Sequence, residues 1–327
     1  MSSELLRVED LHVWFDLDGG GELHAVQGIS FQLSEGERMG LVGESGCGKT
    51  TSILAMMGLL PPNASVSGKV ILDGVDMLEK GEETVAPHRW HDIAMIFQGA
   101  MNAFNPVKTV GEQIAEPMLL HGTASGKSVA SARVRELLEL VGISGSRATR
   151  YPHEFSGGMR QRAAIAMALA CQPKVLLADE PTTALDVMVQ AQILELLVSL
   201  TRDLGLTMIL VTHDLPVVAQ VCDRAAVMYA GRIAEEGPTS TLYHDPRHPY
   251  TRMLFAATPD LYGDDAVISI PGAPPRLDRE LAGCPFQPRC DSAFEPCPTK
   301  EPRERSFDGR HRASCHLNEV PTGATAV

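Results

Sequence analysis

Nine residues, Gly43-Glu44-Ser45-Gly46-Cys47-Gly48-Lys49-Thr50-Thr51, combine three glycines with a lysine and three hydroxyls at a spacing suited to holding a polyphosphate. Glycines let the backbone curl round an anion so that loop N–H groups and a following helix N-terminus face it. In such a cradle Lys49 reaches the β- and γ-phosphates and the Thr50 hydroxyl ligates Mg²⁺. Further along, Asp179-Glu180 closes the apolar run Lys174-Val175-Leu176-Leu177-Ala178. Successive strand residues point opposite ways, so Asp179 can hold a metal's water shell while Glu180 takes the proton of an attacking water. The alternative for that pair is a solvated acidic strand end. His213, after a second apolar run, suits a γ-phosphate sensor or an ordinary structural histidine. Gln98 is either a hydrogen-bonded edge residue or a contact to metal-bound water.

These residues need particular elements around them. Met39-Gly40-Leu41-Val42 before the loop reads as a strand, and Ser52 to Met57 after it as a helix, which is the context a phosphate loop requires. Leu5 to Val13 and Ala25 to Leu33 alternate as extended, antiparallel segments around Gly19-Gly20-Gly21. Phe15, at the edge of the first, either stacks on an adenine or is a half-buried strand aromatic. Strands follow at Lys69–Leu72 and Asp92–Phe97, and residues 110–170 read as mostly helical. There Ser156 is placed as an N-cap, and Gly157-Gly158 leave N–H groups bare for a second anion; an ordinary capped helix, running to Cys171, fits equally. The run 175–180 has the pattern of a central parallel strand buried on both faces. Asp186 leads into an amphipathic helix from Val187 to about Leu204, and Leu206 to Thr212 is a buried strand. Ala225–Tyr229 and Arg232–Glu236 close as a hairpin at Gly231. The fold class is therefore α/β: a mainly parallel sheet with helices on both faces, an antiparallel β portion at the N-terminus, a helical subdomain, and a small Cys-rich C-terminal domain.

The 327 residues suffice for one large core or two domains, with globular usage of 44% apolar and 21% charged residues. A net charge of −13 argues against nucleic acid or an anionic lipid surface as the main ligand. No run approaches the eighteen or so apolar residues that span a bilayer, and the start lacks the apolar core of a signal peptide. A cytoplasmic protein, attached to any membrane only through protein partners, is expected. Seven cysteines without an export signal argue for metal binding by some of them rather than a disulfide framework. Cys47, at a helix N-terminus, is expected either to have a lowered pKa or to be a small residue filling a gap in the loop.

With these pieces in this order the chain resembles the ATP-binding subunits of ABC transporters, from about residue 5 to 260. Gly43 to Thr51 is similar to the Walker A motif, Gln98 to the Q-loop, Phe155 to Gln161 to the signature motif, Val175 to Glu180 to Walker B, Ala184 to Asp186 to the D-loop, and His213 to the switch histidine. The resemblance implies ATP and Mg²⁺ as cofactors, Thr50, Gln98 and Asp179 toward the metal, and Glu180, Gln98 and His213 in catalysis. It also implies a head-to-tail pair of ATPases in which Ser156, Gly157 and Gly158 act on ATP held by the other subunit's Walker A, with Asp186 among the nucleotide-binding residues. Phe155 and Met159 stand where Leu and Gln are usual. Met159, the stretch Gln98 to Pro106 and His248-Pro249-Tyr250-Thr251 resemble the oligopeptide, dipeptide and nickel importer branch.

That branch implies an ATPase domain over 1–255, with a helical subdomain at about 100–170, and an extension over 256–327 ending in a flexible tail. In the extension Cys284, Cys290, Cys297 and Cys315 are separated by 5, 6 and 17 residues, a pattern the branch uses for a [4Fe–4S] cluster. Four thiolates make either a zinc site or a cluster, and structural zinc sites favour closer pairs. His311 and His316 are expected to face solvent or to sit behind the ligands. Implied partners are a second, homologous ATPase chain, two transmembrane permease subunits and, indirectly, an extracellular solute-binding protein, at the cytoplasmic face of the plasma membrane. Peptides are the expected cargo, with nickel or an oligosaccharide as alternatives. Two further readings are a soluble ABC ATPase acting on nucleic acid, which the acidic balance and single phosphate loop disfavour, and an iron–sulfur regulator, which leaves the catalytic residues without a task.

Overall fold

The structure is a computed structural model that describes residues 4–99, 103–257, 270–279 and 281–319. In chain order its elements are β1 (Glu4–Asp16), β2 (Glu22–Ser34), β3 (Arg38–Val42), α1 (Lys49–Met56), β4 (Ala64–Leu72), β5 (Val75–Asp76), α2 (Glu82–His88), β6 (Ile93–Ile96), α3 (Val110–Leu120), α4 (Lys127–Leu140), α5 (Gly157–Ala168), β7 (Val175–Asp179) and α6 (Val187–Leu204). There follow β8 (Thr207–Thr212), α7 (Leu215–Val221), β9 (Arg224–Tyr229), β10 (Arg232–Pro238), α8 (Thr239–His244), α9 (Pro249–Ala256), β11 (Glu304–Ser306) and β12 (Arg312–Ser314). Of the stretch Gln98 to Pro106, residues 100–102 lie outside the described residues, as do 258–269 of the extension and the 320–327 tail. The chain divides into two compact units.

One unit holds residues 33–38 and 79–211. Its strands β6, β7 and β8 run parallel, with Ile93 opposite Val175 and Val175 opposite Thr207. Every residue of the three is buried, which is why β7 reads as a continuous apolar run: a strand covered on both faces has no solvent side to alternate with. α6 starts where Asp186 accepts the Val189 N–H at 3.0 Å and stops at Gly205, whose φ of 65° a residue with a Cβ takes up at a cost. Its buried stripe is Ile193, Leu194, Leu197 and Leu200. α3 opens with a reciprocal cap between Thr109 and Glu112. α5 ends at Ala168, short of the expected Cys171.

The other unit holds residues 5–32, 39–78 and the chain from 212 onward. One sheet has the order β2-β1-β4-β5, with β1 and β4 antiparallel. In the other, β3 pairs in parallel with β9, and β9 turns into β10 through Ala230 and Gly231, both at positive φ, as a two-residue hairpin matching the strand twist requires. β12 then pairs antiparallel with β10, Glu235 opposite Ala313, so the extension adds strands to this sheet rather than forming one of its own.

That pairing decides the place of the two late histidines. His311 and His316 are 2% and 4% exposed, so the solvent-facing option is wrong for both. His311 Nε2 lies 2.7 Å from the Glu235 carboxylate, and His316 Nε2 lies 2.8 Å from the Lys300 carbonyl. Glu235 is fully buried and also accepts the Arg247 and His248 N–H groups at 2.7 and 2.9 Å, the satisfaction a buried carboxylate needs.

His248 caps α9 by an unusual acceptor: its Nδ1 receives the Tyr250 N–H at 3.0 Å. That bond needs an unprotonated Nδ1, and burial pushes the imidazole down to about 4. Because the folded value lies below the unfolded one, the contribution is complete above about pH 6.5 and is lost as pH falls toward 4. Linkage puts the loss at about 2 kcal/mol by pH 5. Denaturant titrations of wild type and His248→Asn, whose amide oxygen retains a cap acceptor, should show wild type losing that much more stability between pH 7 and pH 5. Parallel curves would remove His248 from the acid response.

Candidate functional site

The phosphate loop is set by what surrounds its glycines. At Gly43 (φ 151°) a Cβ would stand 2.2 Å from the Met228 carbonyl oxygen, and at Gly48 (φ 102°) 2.6 Å from that of Ala25. Neither position admits a side chain without moving backbone. Between them the Lys49 ammonium, on a residue only 6% exposed, donates to the carbonyls of Gly43 and Glu44 at 2.8 and 2.9 Å. The loop thus curls round the cation that would meet an anion there. Ser45 and Gly46 are exposed at the rim, Thr50 and Thr51 are half-buried on the first turn of α1, and Ser52 holds the Gly48 carbonyl at 2.8 Å.

Cys47 does not have the lowered pKa. It is 5% exposed, and burial pushes its thiol up against the pull of Lys49. Desolvation of a thiolate outweighs a neighbouring cation that is itself bound to carbonyls, so Cys47 fills space as a neutral thiol.

The carboxylate pair ends β7. Asp179 is buried, while Glu180 turns out of the strand at φ 42°, a conformation that costs a residue with a Cβ about 1 kcal/mol. Its carboxylate accepts the Gln98 side-chain amide at 2.8 Å and the Thr183 hydroxyl at 3.0 Å, and its N–H donates to Val211 at 2.9 Å. Two residues separated by 82 positions and singled out for the same chemistry therefore share a hydrogen bond.

In the same unit Ser156 caps α5, accepting the Met159 N–H at 3.3 Å, with its side chain exposed. Gly158 packs where a Cβ would come within 2.7 Å of Val189, so the start of α5 rests on the start of α6. Asp186 is exposed beside Val187 and Met188, which are 79% and 72% exposed. Two large apolar side chains on the first turn of α6 suit a protein contact.

The second unit contains the loop together with His213, Phe15 and the late cysteines. His213 is exposed directly after β8, before Asp214 caps α7 through the Val217 N–H at 3.3 Å. Phe15 is half-buried opposite Ala64. Nearby on β1 and β2, His12, Trp14 and His24 stack with ring centroids 4.6 to 5.3 Å apart. The sequence reading passed over this aromatic column. Alternation on β1 puts His12 and Trp14 on one face, and that was the available signal.

Among the described residues no group of three or more His, Cys, Asp or Glu side chains converges as a ready metal site. The four late thiols nonetheless feel one another. Burial pushes Cys315 up to about 12, with the charges of Cys284, Cys290 and Cys297 adding to it.

Two residues near the loop, one of them in the stretch 248–251, have contacts that the sequence did not suggest. Arg289 forks the Glu44 carboxylate, and the Tyr250 hydroxyl accepts the Glu44 N–H at 3.0 Å. Nothing in their local sequence announces this.

A strand, a glycine loop cradling a buried lysine and a helix define a P-loop nucleotide-binding protein. The family described as ABC transporter matches residues 26–183, and the oligopeptide/dipeptide transporter C-terminal region matches residues 234–297. A dipeptide transport ATP-binding protein of Bacillus subtilis is 45% identical over 97% of this chain and 95% of its own. An oligopeptide transport ATP-binding protein of Escherichia coli is 46% identical over 94% and 92%. This chain spans 54% of a Mycobacterium bovis oligopeptide transport ATP-binding protein that is 46% identical. Among solved structures, a dimeric ATP-binding cassette bound to ADP and Pi superposes with a TM-score of 0.63 at 27% identity, over 72% of this chain and 98% of that one. The chain belongs to the ATP-binding subunits of ABC transporters, ATPases whose oligopeptide/dipeptide branch carries this C-terminal region. No helix among the described residues is long and apolar enough to cross a membrane.

Proposed function

We propose that the chain is the ATP-hydrolysing subunit that powers import of oligopeptides or dipeptides through an ABC transporter. The observation that carries this reading is the match of residues 234–297 to the oligopeptide/dipeptide C-terminal region on a chain that also has the phosphate loop. Lys49 and His213 steady the γ-phosphate, Thr50, Asp179 and Gln98 serve Mg²⁺, and Phe15 takes the adenine. Glu180 is the general base, and its bond to Gln98 supports that assignment. Mg²⁺ supplies charge neutralisation at the phosphates. Ser156, Gly157, Gly158 and Asp186 act on ATP bound by a second, homologous ATPase subunit, a role that the exposed Val187 and Met188 favour.

In this reading residues 1–255 are the ATPase domain, with the helical subdomain at about 100–170, and 256–327 are a Cys-rich domain. There Cys284, Cys290, Cys297 and Cys315 hold a [4Fe–4S] cluster, with zinc as the alternative metal. Two permease subunits dock the chain on the cytoplasmic face of the plasma membrane, and an extracellular binding protein delivers the cargo. Nickel or an oligosaccharide is the alternative cargo.

Affinity purification of the full chain from its own membranes, followed by reconstitution with the binding protein, tests the reading. Two integral membrane subunits and a second ATPase should co-purify, and peptide-loaded binding protein should raise hydrolysis several-fold. Recovery without membrane subunits, with hydrolysis stimulated by nucleic acid, would overturn it.

A further inference from the structure

The guanidinium of Arg289 spends all its N–H groups on fixed acceptors. Nε donates to the Pro271 carbonyl at 2.7 Å, and Nη1 to Glu44 at 2.7 Å and to the Tyr229 hydroxyl at 3.2 Å. Nη2 donates to Glu44 at 2.9 Å and to the Ile270 carbonyl at 3.5 Å. The Arg289 side chain is 5% exposed and that of Glu44 23%, so the fork is shielded from the water that screens surface pairs. Tyr250, completely buried, packs its ring 4.6 Å from Tyr229 and 5.3 Å from Phe286, and it takes the Glu44 N–H on its hydroxyl.

Glu44 is the second residue of the phosphate loop, and its carbonyl is one of the two that hold Lys49. Its side chain and N–H are both committed to residues 206 to 245 positions away. Those residues are not neutral scaffolding. Arg289 immediately precedes Cys290, Phe286 follows Cys284 by two, and the Cys284 N–H is tied to the Cys297 carbonyl at 2.9 Å. Any rearrangement of the cysteine segment therefore moves the far end of the fork.

We infer that Arg289 and Tyr250 are positioning residues for nucleotide binding, which pin the Glu44 end of the phosphate loop so that order in the cysteine segment sets the affinity for the triphosphate. The inference rests on the ATP-site reading above and deepens it by naming what regulates that site. A pinned loop acts alike on the phosphates of the ground state and the transition state, so its loss weakens binding and leaves the chemical step alone.

The deciding variants are Tyr250→Phe, which keeps the ring in its cluster and removes only the acceptor, and Arg289→Lys, which keeps the charge and loses the fork. Equilibrium titration of the full chain with a fluorescent ATP analogue should show Kd raised about tenfold in each. The KM for ATP should rise in parallel, with kcat within twofold of wild type. In a Glu44→Gln background Arg289→Lys should add little further, since the fork has already lost its charged acceptor. A change confined to melting temperature, with wild-type Kd and KM in both deciding variants, would overturn the inference. Lys49→Ala is the control for the underlying reading. If it abolishes analogue binding while the deciding variants bind as wild type, the ATP site stands and the coupling falls; if the wild-type chain binds no analogue, the site reading itself fails.

Discussion

Glu180→Gln is expected to slow ATP hydrolysis by about 10² to 10⁴-fold while leaving ATP affinity within about twofold, because removing a general base takes away a proton acceptor needed only in the transition state. The geometry makes the substitution clean. Glu180 leaves β7 at φ 42° and is held by Gln98 at 2.8 Å and Thr183 at 3.0 Å. Glutamine has the same outline, and its amide oxygen accepts both bonds, so the loss reports the missing basicity rather than a displaced side chain. A protein that binds but does not cleave should also accumulate ATP-bound dimers, seen as an ATP-dependent shift in size-exclusion chromatography. Steady-state phosphate release within twofold of wild type would take the general-base role away from Glu180.

Where the residues that set a structure are neighbours in sequence, the reading and the structure agree. The phosphate loop is local: glycines, lysine and hydroxyls fall within nine positions, and the strand before and helix after them follow from apolar pattern alone. α6 was legible in its start at Val187 and its end near Leu204, where the structure shows Asp186 capping it and Gly205 stopping it. Long-range burial was not legible. Cys47 sits at a helix N-terminus, which lowers a thiol pKa, yet packing that no spacing reveals raises it. For His311 the sequence left open solvent or a place behind the ligands, and only the pairing of β12 with β10 carries it onto the buried Glu235. Arg289 and Tyr250 reach the loop from the other end of the chain, and their own surroundings, Gln287-Pro288-Arg289 and His248-Pro249-Tyr250, hold no periodicity that points at Glu44. Gln98 and Glu180 were found singly from their strand ends, but the bond between them depends on the sheet order, β6 beside β7, which patterning alone leaves open.

Cys290→Ser should abolish the metal content of the extension and unfold most of it. The described part of that region is short of apolar core: Phe286, Cys297, Ala313 and Cys315 are buried, but its two strands are three residues each and its remaining helices are single 3₁₀ turns. Segments of this size rarely hold their shape on burial alone, and a bound metal then supplies folding free energy directly. Of the four proposed ligands Cys290 is the most informative to lose, because it directly follows Arg289. Anaerobically prepared wild type should carry about four iron and four inorganic sulfide per chain, the stoichiometry of a cubane cluster. In Cys290→Ser both should be lost, and limited proteolysis should open the chain between about residues 280 and 318 while the ATPase core resists. Because β12 continues the sheet of β9 and β10, the strands β3, β9 and β10 should stay folded, while the phosphate loop loses the Arg289 fork on Glu44. Stoichiometric zinc without sulfide would make the site a zinc centre, and a metal-free wild type and a Cys290→Ser variant that both resist protease would remove the metal from the fold altogether.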